Sequence, residues 1–186
     1  MQLDLLNTGL DISGFRYRCD LIAEAQERSL SEWAATLPLK PFEFHGYLGN
    51  RRIASFGYGY DYSSRALKDA AAMPDILLRL REKVGAFSGH APQDFVQAMV
   101  TEYGPGAPIG WHRDKPEFGD IVGVSLLSPA NLRFRRRQGQ GWERRAQIVE
   151  PRSAYLLSGQ ARQDWQHSIP PQKMLRYSVT FRTLAS

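Results

Sequence analysis

His112 and Asp114 stand two residues apart in Gly110-Trp111-His112-Arg113-Asp114, an imidazole nitrogen next to a carboxylate oxygen. In an extended segment residues i and i+2 point to the same side, so both side chains can face one ion. His167, in Trp165-Gln166-His167-Ser168, offers a third donor, whereas His45 and His90 lie upstream in segments with no matching partner. A face of two histidines and one carboxylate leaves the opposite positions on Fe(II) open for a co-substrate and O2, unlike a closed structural zinc site. Downstream, the alternation in Arg176-Tyr177-Ser178-Val179-Thr180-Phe181-Arg182 puts Arg176, Ser178, Thr180 and Arg182 on one face of a strand. Two guanidiniums so placed can grip a dicarboxylate, because each planar fork meets a carboxylate bidentately and does not deprotonate. A zinc hydrolase would use the same three donors but would leave the two arginines without a role.

In order and spacing, His112, Asp114, His167, Arg176 and Arg182 match a His-x-Asp…His…Arg-x5-Arg signature, preceded by the Tyr103-x-x-Gly106-x-x-Ile109 lead-in. The chain thereby resembles the AlkB family of 2-oxoglutarate- and Fe(II)-dependent dioxygenases, from about Gly46 to Arg182. The resemblance implies that Fe(II) is held by His112, Asp114 and His167, and that 2-oxoglutarate and O2 take the remaining positions. It places Arg176 on the distal carboxylate of the co-substrate and Arg182 at its metal-bound end, with the Tyr103 hydroxyl within reach of the same carboxylate as Arg176. It also implies oxidative demethylation of N-alkylated bases in DNA or RNA, a repair activity. Within the same enzyme class the alternative is hydroxylation of a tRNA base or a protein side chain, and outside it a non-catalytic nucleic-acid-binding module. Two positions depart from the family pattern. Thr101 stands where relatives carry Asn and can donate only one hydrogen bond, so altered co-substrate contacts are expected. Pro116 stands where the DNA-repair prototype has an acidic base contact, so base specificity does not carry over.

The elements that must position these residues are mostly strands. Leu30, Trp33, Ala34 and Leu37 form a helical stripe that predicts a helix over Glu24 to Thr36, stopped by Pro38. A second helix opens at Met73-Pro74-Asp75, carries Ile76, Leu77, Leu80, Val84 and Phe87, and ends at Ser88-Gly89. An edge strand is expected near Gly14 to Arg18, and a loop with a short strand over Lys40 to Tyr47. Further strands are expected over Phe95 to Tyr103, Ile109 to Asp114, Ile121 to Leu127, Leu132 to Arg136, Ala146 to Val149, Ala154 to Leu157 and Tyr177 to Thr183. Many short strands after two helices predict a mainly β, α+β fold in which helices cover one sheet of a β-sandwich or jelly roll. That agrees with the double-stranded β-helix implied by the resemblance. Phe56, Tyr58, Tyr60 and Tyr62 recur with period two, which predicts four rings on one strand face, on the core or stacked on a base. In the family this stretch corresponds to a nucleotide-recognition lid, with Tyr58 and Tyr60 as base contacts.

A chain of 186 residues with 42% hydrophobic content suits one domain. We expect residues 1–45 to support it, 46–90 to form the lid and second helix, and 95–183 to form the jelly-roll core. No apolar run approaches the ~20 residues of a membrane span, and the start has no basic n-region, so a cytoplasmic, monomeric protein with no obligate protein partner is expected. The single cysteine, Cys19, permits no intrachain disulfide and is expected to pack as a small residue. The formal net charge of +5 points toward polyanionic partners. Arg133, Arg135, Arg136, Arg137, Arg144 and Arg145 flank Gln138-Gly139-Gln140-Gly141 and predict a basic hairpin. Arg135, Arg136 and Arg137 are its candidate phosphate contacts, against the alternative of a merely solvated face.

Overall fold

Alternating side chains along the strands sort into two apolar layers, and these layers define the architecture. The computed structural model describes residues 10–44, 47–61 and 66–185. In chain order it contains β1 (Phe15–Arg18), α1 (Glu24–Thr36), β2 (Lys40–Phe44), β3 (Tyr47–Phe56), β4 (Tyr58–Asp61), β5 (Ala66–Asp69) and α2 (Asp75–Ser88). Then come β6 (Phe95–Tyr103), β7 (Ile109–His112), β8 (Phe118–Leu126), β9 (Ala130–Gln138) and β10 (Gly141–Val149). The last elements are β11 (Ala154–Leu157), α3 (Gly159–Gln163), β12 (Gln166–Ile169) and β13 (Arg176–Leu184). A major sheet of seven strands runs β1-β11-β8-β13-β6-β3-β2, and a minor sheet of four runs β10-β9-β12-β7.

One face of the major sheet, with Val100, Val122, Val124, Val179 and Phe181, packs against Leu30 and Ala34 of α1 and Leu77, Leu80 and Val84 of α2. Its other face meets the minor sheet across Phe15, Ile121, Leu132, Phe134, Leu157, Trp165 and Ile169. Helices therefore cover one side of a β-sandwich, the jelly-roll arrangement expected. Both helices lie where the apolar stripes put them, and Gly89, with φ of 86°, ends α2 in the left-handed conformation. The pleat does the rest. In β13, Tyr177, Val179 and Phe181 enter the helix layer, so Arg176, Ser178, Thr180 and Arg182 face the space between the sheets.

Three expectations are corrected. The aromatic run is not one strand, because the chain breaks at Gly57, whose φ is +76° and whose N–H donates to the Ala71 carbonyl. Phe56 turns into the helix-side core against Trp33, while Tyr58 begins the separate two-stranded hairpin of β4 and β5. Phe56 and Tyr58 thus belong to different sheets. The Tyr60 side chain, Tyr62 and His45 lie outside the described side chains. Second, β7 ends at His112, so Asp114 sits two residues beyond the strand and not within it. Third, Cys19 follows the end of edge strand β1 and is exposed, not packed. Among the described residues no helix is long and apolar enough to cross a membrane.

Gly57 gives a direct check on this break. An added Cβ there would lie 2.1 Å from the Val96 carbonyl oxygen, on a backbone that L-residues rarely adopt. Gly57→Ala is expected to lower unfolding free energy by about 2 kcal/mol or more in denaturant titrations. Gly104→Ala, whose Cβ meets nothing within 4 Å, is expected to leave it unchanged.

Candidate metal and co-substrate site

β12 pairs with β7 in a register that sets His167 directly opposite His112, so both rings leave the same face of the minor sheet with centroids 4.2 Å apart. His112 Nδ1 lies 2.8 Å from the Gly110 carbonyl oxygen, a contact that requires Nδ1 to carry the proton and leaves Nε2 free. The chain beyond β7 then carries Asp114 inward until its Oδ1 is 3.6 Å from the Nε2 atoms of both His112 and His167. One ligand atom from each residue lies within 4.8 Å of the others. Donors about 2.1 Å from a common ion sit about 3 to 3.5 Å apart in octahedral to tetrahedral geometry, so this set suits a single ion. Three protein donors on one side leave the other side of that ion to ligands that are not protein.

The electrostatics agree with the geometry. Burial alone would raise the Asp114 carboxyl, but the Arg182 guanidinium beside it holds it well below the usual carboxylate range. Burial, followed by the neighbouring His112, pushes His167 down to about 3, so its imidazole is neutral and its lone pair available. Arg182 Nε donates to Asp114 Oδ2 at 2.5 Å, and its Nη1 donates to Gln97 Oε1 at 3.0 Å. Arg182, expected at the metal-bound end of the co-substrate, thus holds the ligand carboxylate with Nε and Gln97 with Nη1.

Arg176 tells the other half. It is fully buried, its Nε donates to Ser125 Oγ at 3.0 Å, and the Tyr103 ring centroid lies 5.0 Å from its Cζ. Its Nη1 and Nη2 are buried with no hydrogen-bond partner. A buried guanidinium with both outer nitrogens unsatisfied is costly unless an anion completes it, and the distal carboxylate of 2-oxoglutarate has the required shape and charge. Tyr103 lies opposite Arg176 and Thr101 opposite Ser178 in the β6–β13 register, both buried. The Tyr155 ring lies across Gly123, where a Cβ would come 2.3 Å from its Cζ, so glycine is what lets the ring enter the space between the sheets. Burial raises the Tyr155 hydroxyl to about 12, which keeps it a neutral donor.

A cleft of about 510 Å³ opens onto His112 and Asp114 and is lined by Phe42, Ile53, Met99, Trp111 and Phe118. These wall residues escaped the sequence reading, although Trp111 adjoins His112 in the motif itself. Tyr58 is not among the lining residues; its backbone carbonyl accepts a hydrogen bond from Gln97. Arg162 was also missed. Its guanidinium donates to the carbonyls of Lys115, Phe118 and Gly119, fastening the loop behind Asp114 to α3. The arginine run divides by the pleat: Arg136 pairs with Glu143 at 2.7 Å and lies over Trp165, whereas Arg135 and Arg137 lie against Trp142.

A β-sandwich with helices on one sheet and a two-histidine, one-carboxylate face between the sheets is the arrangement of an iron-dependent oxygenase. Residues 20–182 match the 2OG-Fe(II) oxygenase superfamily, and the chain belongs to it. Its relatives are AlkB-like, and Fe(II) and 2-oxoglutarate are the metal and co-substrate that the superfamily is named for. The Arabidopsis thaliana alkylated DNA repair protein ALKBH8 homolog is 27% identical over 92% of this chain and 55% of its own length. The Mus musculus tRNA (carboxymethyluridine(34)-5-O)-methyltransferase ALKBH8 is 28% identical over 83% of this chain and 24% of its own. The chain thus spans about half of the plant relative and about a quarter of the mouse one. Among solved structures, OsALKBH1 superimposes with a TM-score of 0.71 over 91% of this chain and 96% of that one, at 14% identity, a likeness of fold.

Replacing Arg176 by Lys keeps the charge but removes the fork. With about 1.5 kcal/mol or more lost per charge-assisted hydrogen bond, the KM for 2-oxoglutarate is expected to rise at least about tenfold. Fe(II) affinity, measured by isothermal titration, should not change, because no donor is touched.

Proposed function

We propose that this enzyme oxidatively demethylates N-alkylated bases in DNA or RNA, with His112, Asp114 and His167 holding Fe(II) and Arg176, Tyr103 and Thr101 holding 2-oxoglutarate. The observation that carries the reading is the largely apolar cleft that opens onto His112 and Asp114, with the Phe42 ring as a flat wall suited to a base taken out of its stack. The printed names of the plant and mouse relatives, which refer to DNA repair and to tRNA, support a nucleic-acid substrate. So does the net charge of +5. We place the enzyme in the cytoplasm as a monomer acting in alkylation repair.

Fe(II) held by His112, Asp114 and His167 would supply O2 activation coupled to decarboxylation of 2-oxoglutarate. In balance, 2-oxoglutarate, O2 and an N-methyl group give succinate, CO2 and an N-hydroxymethyl group, which releases formaldehyde and leaves N–H. The chain's own work is positioning and electrostatics. Arg182 keeps Asp114 ionised and aimed. Arg176 anchors the far end of the co-substrate, the cleft walls orient the methyl group toward the open side of the three donors, and the apolar lining excludes bulk water.

N-methylated oligonucleotides should yield formaldehyde and succinate in equal amounts, while Asp114→Ala and His112→Ala should abolish both products together with Fe(II) binding. Succinate that depends on nucleic acid but comes without formaldehyde would move the reading to hydroxylation of a base, and stimulation by peptides alone would move it to a protein side chain. No succinate under any condition would leave a binding module.

A further inference from the structure

In β9, Leu132 and Phe134 enter the core between the sheets, so Arg133, Arg135 and Arg137 project from the outer face of the minor sheet. Trp142 of β10 sits opposite Arg137 on that face, and Trp111 leaves β7 on the side away from His112. The five side chains form a file. Arg133 and Arg135 lie 5.1 and 4.5 Å from the Trp111 ring centroid, and Arg135 and Arg137 lie 4.2 and 4.5 Å from that of Trp142. Arg135 therefore sits against both indoles, Trp142 reaching it from β10 on one side of β9 and Trp111 from β7 on the other. Hydrogen bonds from Arg133 Nε to Ser168 Oγ at 3.1 Å and from Arg135 Nε to Gln166 Oε1 at 2.8 Å anchor the stems, and among the described residues no hydrogen bond takes their outer nitrogens.

Elsewhere in the molecule arginines meet carboxylates, as in Arg52–Glu102, Arg136–Glu143, Arg145–Glu143 and Arg152–Asp20. Among the described residues, none of Arg133, Arg135, Arg137 and Arg144 does. Arg144 lies directly opposite Arg135 in the hairpin, so four like charges share one sheet face without a counter-charge. Burial, and then Arg144 and Arg137, pull the Arg135 guanidinium below its ordinary value. Such crowding is unfavourable in the free protein and is relieved by a polyanion.

We infer that this tryptophan-spaced file of arginines is a docking rail for the sugar–phosphate backbone of single-stranded nucleic acid, an inference that rests on the nucleic-acid reading above. Successive rungs are two residues apart on one strand, about 6.6 to 6.8 Å, a spacing comparable to that of successive phosphates along an extended single strand. One straight file addresses one backbone, whereas a duplex presents two across a groove. Arginine suits the task because its plane stacks on indole while its edge meets phosphate bidentately. Continuity with the metal centre comes from Arg113, between His112 and Asp114. It lines both the substrate cleft and a second cleft of about 640 Å³ beside Arg137 and Trp142. A strand whose target base enters the first cleft has its neighbouring phosphates led to the rail.

The test is fluorescence-anisotropy titration of short unmodified oligonucleotides against the full chain over a range of salt, with single-stranded DNA, single-stranded RNA and duplex DNA in separate arms. For single strands the slope of log K against log salt should fall by about 0.7 for each arginine removed in Arg135→Gln and Arg137→Gln. Trp142→Leu, which removes no charge, should also weaken binding and flatten the slope, because the guanidiniums beside it lose their spacing; thermal melting checks that each variant is folded. If folded variants keep the parent's affinity and slope while the parent still yields formaldehyde from methylated oligonucleotides, the rail is wrong and the demethylase reading stands. If the parent neither binds any oligonucleotide in a salt-dependent way nor yields formaldehyde, both fall. Equal loss of duplex and single-strand binding overturns the assignment to single strands.

Discussion

Asp114 has to stay ionised where almost no water reaches it, and the Arg182 guanidinium is what makes that possible. A carboxylate buried alone takes up a proton instead of holding a metal. With the 2.5 Å contact from Arg182 Nε, the favoured state becomes the anion, aimed at the two imidazoles. The pair also ties the two sheets together. Arg182 belongs to the major sheet and His112 and His167 to the minor one, so Asp114 meets its counter-charge beside the two imidazoles only when the sandwich is closed. Buried ion pairs seldom add net stability, but losing one partner is severe because it strands the other charge. The architecture around the site is accordingly rigid: Gln97 holds the far nitrogen of Arg182, and Arg162 fastens the loop that follows Asp114.

Much of this was legible in the sequence because local signals and tertiary structure agreed. The apolar stripe of α1, the Pro74 start and Gly89 stop of α2, and the alternation in β13 all report local geometry, and local geometry survived in the fold. The pairing of His112 with His167 was legible as chemistry, not as contact, since nothing in the 54 intervening residues encodes that register. What escaped is non-local. Period two in the aromatic run was real, but Gly57 sits at a left-handed turn that alternation cannot reveal, and the pleat resets across it. The roles of Arg162 and Ser125 depend on backbone carbonyls and strand neighbours that no residue type announces.

The basic hairpin shows how strand geometry converts one run of letters into two kinds of site. Arg135, Arg136 and Arg137 are indistinguishable by composition, yet the period of two sends Arg136 toward Glu143 and Trp165 and its neighbours to the opposite face. A count of positive charges treats the three alike, while the electrostatics of the folded chain does not.

The place of β13 in the major sheet carries a consequence for how the enzyme is made. It is the last strand of the described chain, yet it lies in the middle of the sheet between β8 and β6. During synthesis both neighbours emerge first and present unpaired inner edges, the kind of surface that invites pairing with other chains. The contacts that close the gap join residues far apart in sequence, which makes closure slow relative to helix formation. Because β13 also carries Arg176 and Arg182, the nascent chain cannot hold an ionised Asp114 or a co-substrate anion before that strand docks. Catalytic competence and protection from aggregation therefore arrive in one late step.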